Sequence, residues 1–211
     1  GLNDMSEMEK VEAVHDLLIS ILVYREGSRS NTIDAHTVAS TMLMHCGVCD
    51  GIAQSVSLLL NRIGIRASTI SGKVNGSDCG HAWNIVEIGG LRGHLDLGFD
   101  VVWEFPYPTY GFFLISDSEM SKNRVWFADT GCEGFPSYYE RHSLRAFDRN
   151  QFAEIYRRER KCSDSFIIKL EGELSNLPSD QIYDLALVAS NYAPPDQLFP
   201  YPDGAVRIVY R

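Results

Sequence analysis

The chain has 211 residues, 45% hydrophobic and 22% charged, with no low-complexity run and no internal repeat; that length builds one sizeable core or two small ones and argues against disorder. A formal net charge of -9 repels phosphate backbones, and the cluster Arg157, Arg158, Arg160 shares its segment with Glu154 and Glu159, so nucleic acid is not an expected partner. The longest apolar runs, such as residues 17–23, fall far short of the roughly 18 residues that span a bilayer.

The N-terminus does not resemble a signal peptide, and its abrupt start at Gly-Leu-Asn-Asp leaves room for upstream residues to have been removed. Ser6-Glu7-Met8-Glu9 has the spacing of a capping box, and Met8, Val11, Val14, Leu18, Ile21 and Leu22 follow at helical intervals, predicting a helix to about Tyr24. A polar loop at 25–31 precedes a short helical pattern through Val38, Met42 and Leu43. In M-H-C-G-V-C-D-G-I-A, the apolar stripe Ile52, Val56, Leu59, Leu60, Ile63 starts a buried helix with Cys49 at its N-terminus and Gly64 where a C-terminal glycine belongs. His45 reads as a loop residue.

Residues 65–74 predict a strand. H-A-W-N-I-V-E-I and L-R-G-H-L-D-L-G-F predict two more, joined by a hairpin turn at Gly89-Gly90. Beyond them, Tyr107, Tyr110, Phe112 and Phe113 around Pro106 and Pro108 read as a packed loop or a groove wall. The last third predicts a basic helix at 148–161, a strand at 166–171, a helix at 179–191 opened by Pro178, an extended loop through Pro194, Pro195, Pro200 and Pro202, and a final strand at 205–210.

With Gly89 and Gly90 as turn residues, cross-strand partners in the hairpin sum to 179, so odd positions of the first strand share a face with even positions of the second. One face collects Ala82, Val86, Ile88, Leu91, Leu95, Leu97 and Phe99. The other sets His81, Trp83 and Glu87 beside Arg92, His94 and Asp96, an imidazole within reach of a carboxylate. Asn84 lies on the first face and reads as a structural hydrogen-bonder.

Thiol catalysis needs a thiolate, a base and a group that orients the base. Cys49 at a helix N-terminus has the dipole and free amides that favour a thiolate. His81 can serve as base and Asp96 can hold its tautomer. Trp83, on the same face, is a candidate substrate-binding residue. On spacing alone the plain alternative, a buried cysteine and an unrelated strand histidine, stays open.

The motifs G-V-C-D-G-I-A, G-I-R-A-S-T-I-S-G, H-A-W-N-I-V and H-L-D-L, in this order and at these gaps, resemble the core of the bacterial transglutaminase-like superfamily. The similarity extends upstream to E-K-V-E-A-V-H-D-L-L and Tyr24, downstream to F-F-L-I-S-D-S-E-M-S-K-N, and covers about residues 8–126. It implies an α+β, papain-like fold with the nucleophile helix on an antiparallel sheet, followed by a C-terminal α/β extension. The expected division is a catalytic core at 1–140 and a helix-strand-helix-strand extension at 141–211 packed on the same domain. The resemblance carries the nucleophile, base and orienting acid onto Cys49, His81 and Asp96. It implies acyl transfer on a peptide or protein amide (hydrolysis, deamidation or transamidation) with no cofactor, and it suggests a bacterial protein, compatible with export. Ile52, Gly93 and the segment L-G-F-D at 97–100 depart from the family pattern.

Two other readings compete. Five cysteines leave at least one thiol unpaired within the monomer. Cys46 and Cys49, separated by 29 intervening residues from Cys79 and His81, offer four possible zinc ligands, although the Cys-x-His half is atypical of structural zinc modules. A non-catalytic binding module on the same fold is the other.

Overall fold

The computed structural model of the chain describes residues 1–24, 33–101, 109–191, 193–201 and 203–210. The polar loop expected at 25–31, and Pro106, Tyr107, Pro108 and Pro202, lie outside the described residues. The chain forms two compact units, Gly1–Ser137 and Tyr138–Arg211.

The first unit opens with α1 (Glu7–Ile21). The Ser6 side chain accepts from the Glu9 N–H and the Glu9 carboxylate accepts from the Ser6 N–H, satisfying amides that the first turn leaves bare, worth about 1 kcal/mol. After it, β1 (Val23–Tyr24) pairs in parallel with β2 (Cys46–Gly47), which follows α2 (Val38–Met44). His45 is the exposed, left-handed C-cap of α2 at φ 53°. Then α3 (Cys49–Arg62) buries Ile52, Val56 and Leu60, each worth about 1.5–3 kcal/mol. Gly64, at φ 85°, takes the left-handed position beyond its end.

A five-stranded antiparallel sheet follows, in the order β6-β5-β4-β3-β7: β3 (Arg66–Val74), β4 (Gly80–Ile88), β5 (Leu91–Leu95), β6 (Phe113–Ile115) and β7 (Arg124–Val125). The β4–β5 register is the one the turn dictates, with Ile88 opposite Leu91, Glu87 opposite Arg92 and Ile85 opposite His94. Both turn glycines have positive φ, 58° and 88°, as a tight hairpin turn requires. Helix α3 packs on β3 and β4. Asn84, on the helix side, donates from Nδ2 to the Ala53 carbonyl and to Ser57 Oγ, each at 2.8 Å. The arrangement is α+β, with helix α3 packed on an antiparallel sheet, as the sequence predicts.

The second hairpin strand is shorter than its alternation predicts. Strand β5 stops at Leu95, and the next residues form one helical turn, α4 (Leu97–Asp100). Alternation holds only while the chain stays extended, so Phe99 leaves the core face and its ring meets His81 edge-on at 5.0 Å. Gly93 has a steric reason: a Cβ there would lie 2.8 Å from the Leu114 carbonyl of β6. Between β6 and β7 lies α5 (Asp117–Met120). Tyr110 and Phe113 are core residues.

The second unit contains α6 (Tyr138–Arg141), β8 (Arg145–Ala146), α7 (Arg149–Arg160), β9 (Ser165–Leu170), α8 (Ser179–Ala189), β10 (Gln197–Pro200) and β11 (Ala205–Val209). Its sheet runs β10-β11-β9-β8. The helix-strand-helix-strand order is present, with two strands the sequence reading missed. Strand β8 has two residues, and β10 ends in Pro200 at the sheet edge, the place where a strand tolerates proline.

Candidate active site

Cys49 is the first residue of α3, and the flanking glycines are packing requirements. A Cβ on Gly51 would come within 2.9 Å of the Ala35 carbonyl and of Thr41 Oγ1, and one on Gly47 would overlap Thr41 Oγ1. The Val48 N–H donates to the same Ala35 carbonyl at 3.0 Å. The sequence G-V-C-D-G thus seats the helix start against α2.

The last β4–β5 pair is Asn84 with Leu95, so His81 and Ala82 extend past the end of β5 along a free strand edge. The chain turns at Asp96, and the start of α3 fills that space. His81 Nε2 lies 2.7 Å from Asp96 Oδ2, and the imidazole also hydrogen-bonds the Cys49 sulfur. The sulfur takes a second bond from the Ala82 N–H.

These contacts set the charges. Burial opposes a thiolate at Cys49, as does Asp50, but the bonds to His81 and the Ala82 amide outweigh them and lower its pKa. Burial also opposes charge on His81, yet Asp96 and Cys49 overcome it and push its pKa up to about 9. Both shifts favour a thiolate–imidazolium pair at neutral pH.

Two further residues complete the site. Arg124, only 2% exposed, bonds Asp96 Oδ2 from Nη2 at 2.9 Å and from Nε at 3.3 Å. Its guanidinium stacks 3.8 Å above Phe99. Three hydrogen bonds therefore converge on one oxygen of Asp96 and fix the carboxylate. The Tyr24 hydroxyl oxygen accepts from the Cys49 backbone N–H and bonds the Cys49 thiol; burial, then Cys49, raises its pKa.

Sequence reasoning missed Arg124 for a physical reason. In β7 the alternation is inverted, with Arg124 buried and Val125 exposed, so the rule that assigns apolar residues inward assigns this pair the wrong way round. Tyr24, expected at the end of the first helix and linked to the site only through the family resemblance, lies instead in β1 beyond α1.

Trp83, expected to face a groove, is 1% exposed. Its indole stacks on His81 at 5.8 Å and 20° between planes, and its Nε1–H donates to His94 Nδ1 at 2.9 Å. His94 is wholly buried and its Nε2 lies 2.7 Å from Asp117 Oδ1. A third histidine–aspartate pair, His15 with Asp100 at 3.3 Å, is fully buried. A cleft of about 560 Å3, lined in part by Arg66, Ile85, Glu87, Arg92 and Thr130, opens on the sheet and holds none of Cys49, His81 and Asp96.

The four candidate zinc ligands do not assemble. Among the described residues, the group of three or more ligand-type side chains close enough to share an ion is His94, Asp117 and Cys132, not Cys46, Cys49, Cys79 and His81. Cys79 is exposed. Cys46 sits in β2, where its carbonyl accepts from Ser40 Oγ at 3.1 Å.

Residues 2–94 match the family model described as the transglutaminase-like superfamily. Among solved structures, a protein from Cytophaga hutchinsonii described as a candidate cysteine protease is 24% identical over 42% of this chain and 30% of its own, with a TM-score of 0.36. A TGase structure is 15% identical over 71% of this chain and 44% of its own, with a TM-score of 0.42. The chain thus spans less than half of either solved chain. No curated protein sequence matches.

Proposed function

We propose that the chain, whose residues 2–94 match the transglutaminase-like superfamily model, is a thiol enzyme that transfers the acyl group of a peptide or protein amide to Cys49. The observation that carries this reading is the His81 imidazole held between Asp96 at 2.7 Å and the Cys49 thiol, with both pKa shifts favouring the ion pair.

The Cys49 thiolate attacks the amide carbonyl carbon. The oxygen that becomes negative displaces the bond between the Cys49 N–H and Tyr24 and is received by the two donors so freed, the Cys49 N–H and the Tyr24 hydroxyl. Imidazolium His81 gives its proton to the leaving nitrogen as the C–N bond breaks, leaving a thioester and a neutral imidazole. Water or an amine then attacks the thioester, His81 takes its proton, and Cys49 departs as thiolate. Asp96, fixed by Arg124, holds His81 Nε2 throughout, so Nδ1 stays turned to the sulfur.

Labelling with iodoacetamide at pH 6 tests the nucleophile, because an ordinary thiol is protonated there. Stoichiometric labelling of the wild type, absent in Cys49→Ala, is the expected result. An inert Cys49 in folded protein would leave a binding module on this fold. Glutamine peptides offered with and without a primary amine then separate transamidation from hydrolysis and deamidation.

A further inference from the structure

Behind the proposed base lies a second hydrogen-bonded chain, Trp83–His94–Asp117, in which every proton has one possible position. An indole N–H donates and cannot accept. His94 Nδ1, 2.9 Å from Trp83 Nε1, must therefore be bare. The ring proton of neutral His94 then sits on Nε2, pointing at Asp117 Oδ1 2.7 Å away. Asp117 is itself fixed, accepting from Thr130 Oγ1 and, at 3.0 Å, from the Cys132 N–H.

The other end of the chain is the flat contact between Trp83 and His81. Phe99 meets the same imidazole edge-on, so the ring is held between an indole face and a phenyl edge. Room for the indole comes from Gly72, opposite His81 on β3, where a Cβ would lie 2.7 Å from Trp83 Cη2. Trp126 closes the far side, edge-on to Trp83 at 6.0 Å and to His94 at 4.9 Å.

We propose that His94 is a positioning residue for the Cys49–His81 pair: its bare Nδ1 anchors Trp83, and the anchored indole sets the plane of the His81 imidazole. This rests on the thiol-enzyme reading above. Protonating His94 would place an N–H at Nδ1, facing the Trp83 N–H, and break the anchor. The groups facing His94 set where that happens. Burial opposes the cation and outweighs the pull of Asp117 and Asp96, lowering the pKa of His94. On Asp117, burial is outweighed by Thr130, His94 and the Cys132 amide, so it stays ionised. The Cys132 thiol beside it, pushed up to about 12, stays neutral. The chain is thus intact at neutral pH and opens only below the ordinary imidazole range, where His81, raised to about 9, keeps its proton.

The test combines two readouts on the full chain, from pH 8 to pH 4. In 1H–15N NMR the Trp83 indole peak, identified by its loss in Trp83→Phe, should shift as His94 takes up a proton and should be insensitive to pH in His94→Leu. The alkylation rate of Cys49 by iodoacetamide should fall through the same transition in the wild type. His94→Leu should react about tenfold more slowly with no break there, as expected for a slightly misplaced base. His94→Asn, whose Oδ1 restores an acceptor near the Nδ1 position, should recover to within about threefold. A Trp83 peak that ignores the titration of His94, or a His94→Leu protein with the wild-type rate and pH profile, would overturn the proposal. An inert Cys49 in the wild type would overturn the thiol-enzyme reading instead, and the indole titration would still decide the anchor.

Discussion

The β4–β5 hairpin and its flanks carry two histidine–aspartate pairs that look alike and behave oppositely. His81 with Asp96 and His94 with Asp117 are each 2.7 Å apart, and both rings are buried. Yet the pKa of His81 is raised to about 9 and that of His94 is lowered. The difference lies at the other ring nitrogen. His81 turns it to a thiol that becomes an anion and rewards a second proton; His94 turns it to an indole N–H that rejects one. The carboxylate partner is common to both pairs, so it does not assign the role.

Three tests should break the comparison, in decreasing size, the first two on the His81 side. Asp96→Asn offers His81 Nε2 an amide in place of a carboxylate, which favours the wrong tautomer and removes the charge that stabilises the imidazolium; by analogy with other triads kcat should fall by about 10³–10⁴. A fall of less than about tenfold, measured on any amide substrate the protein turns over, would remove Asp96 from the mechanism. Next, Arg124→Met takes the guanidinium from the buried Asp96 carboxylate, leaving His81 as its remaining cation, while keeping the stack on Phe99 apolar. Removing one partner of a buried ion pair costs up to about 3–5 kcal/mol, readable by urea denaturation at pH 7.

The third is a difference in pH dependence, with opposite signs. The folded pKa of His81 lies above its unfolded value, so its contribution to stability is full below about 6.5 and is lost as pH rises through about 9. The folded pKa of His94 lies below its unfolded value, so its contribution is full above about 6.5 and is lost as pH falls below it. Denaturant midpoints across pH should therefore decline at both ends. His81→Gln should flatten the alkaline decline and His94→Leu the acid one; the reverse assignment would show that the two environments are exchanged.

How much of this could be read in advance follows from where each signal is local. The capping box at Ser6, the helix opening at Cys49 and the Gly89-Gly90 register depend on neighbouring residues, and all three are found as read. Parity across that hairpin was enough to bring His81 toward Asp96. What parity cannot supply is the point where a strand stops being extended, so Phe99 was assigned to the core and lies against the imidazole. Nor can it supply partners from distant segments. Arg124 and Asp117 reach the hairpin from residues more than 20 positions away. The departures at 93 and 97–100 have local explanations, a backbone approach at Gly93 and a helical turn after Asp96.

The smallest expected effect sharpens the comparison on the His94 side. His94, Asp117 and Cys132 stand close enough to share a metal ion, but ligation through His94 Nε2 requires that nitrogen to be bare. Its proton would then have to sit on Nδ1, where the Trp83 N–H already points. The cluster is instead closed by hydrogen bonds, and Asp117 uses the Cys132 backbone N–H rather than the thiol. Cys132→Ser keeps that amide, and its hydroxyl can donate to the Thr130 carbonyl that the thiol reaches at 3.9 Å. The variant should therefore melt within about 1 kcal/mol of the wild type, with the Trp83 indole peak in place and Cys49 alkylation unaltered. A stoichiometric metal in the purified wild type, lost in Cys132→Ser together with the fold, would instead make His94 a ligand and put its ring proton on the nitrogen that faces Trp83.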